Sequence, residues 1–96
     1  MQFVAFWEFS YDNAEKYAEL YKQMIAEREK GTAKSPKLIF GPCILDGQYK
    51  GFSVYETDDP DRLMSLALFY APALTFKFEP IIESRKFVEL LQSMKK

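Results

Sequence analysis

The chain has 96 residues, 48% hydrophobic and 17% aromatic, with 13 basic residues against 14 acidic ones and a net charge of −1. That length fits one domain, residues 1–96, with little room for a second core. The balanced charge excludes the dense basic face that a nucleic-acid binder uses to displace phosphate counterions, so Lys30, Lys34, Lys37, Lys95 and Lys96 read as loop and terminal charges that keep the protein in solution.

Residues 2–9 are predicted to form a first strand, rich in aromatic and β-branched side chains. Phe3, Ala5, Trp7 and Phe9 fall on one face, Val4 and Phe6 on the other. A strand apolar on both faces belongs inside a sheet covered on both sides. Asp12 is the expected N-cap of a first helix over residues 13–30, with Glu15 completing a capping box. In that helix Ala14, Tyr17, Ala18, Tyr21, Met24, Ile25 and Arg28 recur at helical spacing, and Gly31 supplies the terminating C′ glycine.

A second strand over residues 38–45 and a third over 48–56 are joined by Asp46-Gly47, the signature of a two-residue hairpin turn. Gly41-Pro42 interrupts the second strand. Proline has no N–H to donate to a ladder, so that strand is placed at an edge. Thr57-Asp58-Asp59-Pro60 then reads as a helix start, with Asp59 capping and Pro60 at the first helical position. The second helix spans residues 60–70, stops before Pro72 and is apolar over most of its circumference.

The fourth strand, residues 74–81, alternates Leu74, Phe76 and Phe78 with Thr75, Lys77 and Glu79, and its Pro80 again fits an edge. A third helix over residues 83–95 carries Phe87, Leu90, Leu91 and Met94 at i, i+3, i+4 and i+7.

This order predicts an α+β fold: a ferredoxin-like split β-α-β sandwich with a four-stranded antiparallel sheet in the order 4-1-3-2 and an extra C-terminal helix. Two helices cover only one side of such a sheet. The two-sided apolar first strand implies that the other side is also covered, by the third helix or by a second copy packing sheet against sheet. A homodimer is the expected solution.

Three blocks carry a resemblance to a known family. They are Phe3-Val4-Ala5-Phe6-Trp7-Glu8-Phe9, Gly51-Phe52-Ser53-Val54-Tyr55-Glu56-Thr57-Asp58-Asp59-Pro60 and Leu74-Thr75-Phe76-Lys77-Phe78-Glu79-Pro80-Ile81. They resemble a family of small dimeric α/β-barrel proteins, domain of unknown function 3303, over nearly the whole chain. The segment between the first helix and the second strand is more lysine-rich than that pattern. The resemblance implies a ferredoxin-like dimer, and no particular activity.

The absence of histidine removes more chemistry than any residue present adds. It excludes Ser-His-Asp and Cys-His nucleophile systems and every histidine-ligated metal; any metal would need carboxylates alone, which leaves only a hard cation such as magnesium, and neither a metal nor another cofactor is expected. The lone Cys43 excludes an internal disulfide, fits a reducing compartment and reads as an inert, partly buried thiol. The apolar opening is too short for a signal peptide or a membrane span, so a cytoplasmic protein is expected.

Glu8 and Glu56 are a tempting acid/base pair, but they end antiparallel neighbours and so fall at opposite ends of the sheet. Asp58, Asp59 and Asp61 read as a helix cap. If Phe52 and Val54 pack on the helices with Leu74, Phe76 and Phe78, then Ser53, Tyr55, Thr75 and Lys77 line the open face, with Trp7 as a core anchor or pocket wall. These five, Trp7, Ser53, Tyr55, Thr75 and Lys77, are the predicted site for a small apolar or aromatic ligand. The expected function is ligand binding at the sheet face between subunits. The alternatives are a cofactor-independent monooxygenase- or isomerase-like enzyme and a regulatory interaction module.

Overall fold

The computed structural model describes residues 1–95; the solvating role expected of Lys96 lies outside them. The elements run β1 (Gln2–Glu8), a 3-10 turn (Tyr11–Asn13), α1 (Ala14–Lys30), β2 (Lys37–Ile44), β3 (Lys50–Glu56), α2 (Pro60–Tyr70), β4 (Thr75–Ile81) and α3 (Ser84–Met94). They form one antiparallel sheet in the order β2-β3-β1-β4, which is the predicted 4-1-3-2 counted from the other edge.

The punctuation residues act largely as expected. Gly31 ends α1 with φ 75°, and its N–H and that of Thr32 reach back to the carbonyls of Arg28 and Glu27, satisfying groups that a helix end leaves free. Asp59 Oδ1 accepts from the Asp61 N–H at 2.9 Å, with Pro60 opening α2. Pro42 lies in edge strand β2, where the register with β3 shifts between Phe40 and Cys43 as a bulge does.

Two local expectations are corrected. Asn13, not Asp12, stands at the N-cap of α1, and its side chain makes no capping bond; the 3-10 turn, closed by Asn13 N–H to Ser10 O at 3.0 Å, takes over the role of ordering the helix start. The hairpin between β2 and β3 is longer than two residues. Leu45 N–H bonds Lys50 O and Gln48 N–H bonds Leu45 O, while Gly47 takes φ 74°.

The core lies between the sheet and α1 and α2. Ala5, Trp7, Ser53, Tyr55, Met24, Leu66, Tyr70, Ala73 and Leu74 are all buried there. Register assigns the faces, because residues paired across an antiparallel ladder project to the same side. Phe3 pairs with Tyr55, Ala5 with Ser53 and Trp7 with Gly51; Ala5 pairs also with Phe78 and Trp7 with Phe76. All of these face the helices. The opposite face carries Val4, Phe6, Phe52 and Val54 in the two central strands, Phe40 on β2, and Thr75, Lys77, Glu79 and Ile81 on β4. Among the described residues no helix lies against it. Every residue of α3 is exposed.

Candidate functional site

The predicted site residues are divided by the sheet. Thr75 and Lys77 stand on the open face, as expected. Ser53 and Tyr55 do not: they are 0% and 4% exposed on the helix side, and Phe52 and Val54 occupy the open face instead. The sequence cue was misleading because the small polar residue on β3 looks solvent-facing. It is in fact matched to Trp7, whose Nε1–H donates to Ser53 Oγ at 3.2 Å. Burying that hydroxyl costs little because it is paired. Trp7 itself is a core anchor, 3% exposed.

Under the helices lies a cluster of phenols. Tyr17 sits 5.5 Å from Trp7, 6.1 Å from Tyr21 and 6.2 Å from Tyr70 by ring centroids, and the Arg28 guanidinium lies 5.9 Å from the centre of the Tyr55 ring, within cation–π range. The gap among these groups is only about 10 Å³, too little for a substrate. Burial, reinforced by the neighbouring Tyr21 and Tyr55, pushes the Tyr17 phenol up from 10.0 to about 12, and burial raises Tyr70 further still. Like any tyrosine both are protonated at neutral pH, and burial makes them still weaker acids.

Stability linkage follows from these shifts. The unfolded chain ionises its tyrosines near pH 10, while the folded chain holds these two neutral. The stabilisation is complete below pH 10 and is lost as pH rises through about 12. Unfolding free energy measured against pH should show no contribution from these two groups between neutral pH and about pH 10 and a steep fall above it. A Tyr17→Phe/Tyr70→Phe variant should flatten the fall, and an unchanged alkaline slope in that variant would contradict the assignment.

A larger space opens at the far end of the uncovered face. This cleft of about 460 Å³ is lined by Phe6, Trp7, Glu8, Leu45, Lys50, Gly51, Thr75, Phe76 and Lys77. It forms where β1 ends and β3 and β4 begin: Glu8 is flanked by Lys50 and Thr75, and Phe6 by Phe52 and Lys77. Lys77 Nζ lies 3.4 Å from Glu79, whereas Lys50 forms no ion pair among the described residues. The cleft therefore joins aromatic walls to two ammonium groups, a carboxylate and a hydroxyl. Of the predicted site residues it gathers Trp7, Thr75 and Lys77 and leaves out Ser53 and Tyr55.

Phe6, Glu8, Leu45, Lys50, Gly51 and Phe76 are the lining residues outside the predicted site. The alternation of Val4 and Phe6 opposite Ala5 and Trp7 was a usable signal for Phe6. Leu45 and Lys50 come together only once the hairpin closes. Glu8 and Glu56 lie at opposite ends of the sheet, opposite Lys50 and Gln2 respectively, as the topology requires. Among the described residues no three Asp, Glu or Cys side chains converge as a metal site, and no helix there is long and apolar enough to cross a membrane.

The model of a family described as a domain of unknown function, DUF3303, matches residues 1–95, and the chain belongs to that family. No curated protein matches it.

Proposed function

We propose that this member of the DUF3303 family works as a homodimer closed through the open sheet face, and that the cleft at the end of that face binds a small apolar or aromatic molecule. The observation that carries this reading is the exposed aromatic centre of the sheet. Phe6 is 49% and Phe40 55% exposed, and Phe40 stacks on Phe52 at 6.0 Å. An apolar sheet face without a covering layer is an interface in waiting. A second sheet laid over it would roof the cleft, and its volume lies within the usual range for ligand pockets, roughly 300–1,000 Å³. Lys50, Lys77 and Thr75 suit an acidic group on the ligand, with Phe6 beside its ring.

The enzyme alternative has less support. The phenols under the helices are held protonated and leave no room for a substrate, and the cleft offers Glu8 as its only carboxylate.

Light scattering at micromolar concentration should report a dimer, and Phe6→Glu should report a folded monomer, since that side chain lies outside the core. A monomeric wild-type protein would refute the sheet pairing. For the ligand, benzoate and naphthoate are suitable probes. A probe at ten times its dissociation constant adds about 1.4 kcal/mol, which raises Tm by roughly 5–10 °C in a chain of this size. No shift at millimolar probe, or an equal shift in Lys50→Met/Lys77→Met, would remove the proposed site.

A further inference from the structure

Each open-face residue of β1, β3 and β4 has a fixed height on the sheet, because the ladders pair these strands residue for residue. The middle rung is Ala5 between Ser53 and Phe78, the fourth of seven residues in each strand. Phe6, Phe52 and Lys77 share the rung on one side of it, and Val4, Val54 and Glu79 the rung on the other. At the two ends stand Lys50 with Glu8 and Glu56 with Gln2.

Two copies can stack symmetrically through this face in two ways. With the two-fold axis along the strands, heights are kept and strand order is reversed. Glu8 then meets Lys50 of the partner subunit. Lys77 and Glu79, however, land on the edge where β2 presents the partner's Cys43 and the partner's Phe40 at those heights. That desolvates two charged side chains against apolar ones.

With the axis across the strands, strand order is kept and heights are reversed. Overlap of the strands is complete when the axis crosses the Ala5 rung. Lys50 then meets Glu56 of the partner subunit, and Lys77 meets the partner's Glu79. Phe6 lies over the partner's Val4 and Phe52 over the partner's Val54, so each ring faces a smaller side chain. No like charges meet on these three strands. Overlap alone sets the axis, and the charge matching follows from it. Packed sheets turn by about 30°, which shifts the outer strands by only about 4 Å at their usual spacing. The Lys77 and Glu79 side chains, 76% and 46% exposed, are long enough to follow.

We propose that the two sheets pack head to tail about an axis crossing the strands at the Ala5 rung, so that Glu56 of the partner subunit meets Lys50 and completes each cleft. This rests on the sheet-paired dimer proposed above and adds its register. Lys50 lines the cleft, so the partner brings a second carboxylate to a site where one chain supplies only Glu8. An ammonium has three donors, and Lys50 can face that carboxylate while still receiving the acidic group of a ligand. Complementary charge of this kind fixes register more than it adds affinity.

Zero-length carbodiimide cross-linking reads the register directly, because it joins only a carboxylate and an ammonium already in contact. Lys50 and Glu56 end the same extended strand, about 20 Å apart, so an amide between them can form only between subunits. Peptide mass spectrometry should find that Lys50–Glu56 link. In mixed light- and heavy-isotope dimers, a Lys50–Glu8 link between labels with no Lys50–Glu56 link would place the axis along the strands. A protein that is dimeric by light scattering yet gives no Lys50–Glu56 link overturns the register and leaves the dimer standing. Charge variants give a second readout. Lys77→Glu and Glu79→Lys each set like charges face to face twice, and each should weaken the dimer about tenfold at low salt. Mixing the two should restore wild-type affinity. Lys50→Glu mixed with Glu79→Lys carries the same net charges at positions that do not meet; equal recovery there would show that net charge alone drives pairing and would refute the register. A monomeric wild type overturns both proposals together.

Discussion

Gly51→Ala is expected to cost the domain at least about 3 kcal/mol, beyond the 1–3 kcal/mol typical of overpacking. A methyl group there would collide with the backbone carbonyl of Cys43 and come within 2.7 Å of Cζ2 and Cη2 of Trp7. Neither neighbour can yield cheaply. The carbonyl belongs to β2 at its junction with β3, and the indole is wedged among Phe9, Tyr17 and the Ser53 hydroxyl. Domains of this size are stable by only about 5–15 kcal/mol, so the urea midpoint should fall by about a fifth or more. A loss below about 1 kcal/mol would show that the β2–β3 junction is looser than its geometry indicates.

Trp7→Ala is expected to cost about 3–5 kcal/mol for the lost burial and the cavity. The orphaned Ser53 hydroxyl adds about 1 kcal/mol or more. Trp7→Phe should cost far less, since a benzene ring still fills most of the space. That milder variant also probes the Gly51 contact. Phenylalanine lacks the two indole carbons nearest a residue-51 methyl, so Trp7→Phe should partly rescue Gly51→Ala, with a coupling of about 1 kcal/mol in a double-mutant cycle. Rescue cannot be complete, because the Cys43 carbonyl remains. Strict additivity in chemical denaturation would contradict the contact.

These two residues also tie stability to the proposed site. Trp7 and Gly51 form the floor of the cleft whose rim is Phe6, Lys50, Thr75 and Lys77. The floor is rigid because it is the other side of the core. The rim is exposed, and its remaining wall is what a second sheet would supply.

Much of the fold was legible in the residues alone, because it depends on local chemistry. Pro42 and Pro80 marked the edges since each lacks a ladder donor. Gly31, Asp59 and Pro60 marked helix ends by backbone conformation and capping. The lack of histidine bounded the chemistry without any structure. Which face of β3 looks inward was another matter. Alternation with period two is symmetric, so Phe52 and Val54 against Ser53 and Tyr55 admits either assignment, and the larger apolar pair invited the wrong one. Only the ladder decided it: pairing with Ala5 and Trp7 puts Ser53 and Gly51 inward, where the Trp7 indole needs a small neighbour and a hydroxyl to receive its N–H. The position of α3 was equally hidden. Its stripe predicted that it must pack on something, but periodicity along one helix carries no information about where its partner surface lies, and only the tertiary structure shows that the stripe is exposed in the single chain.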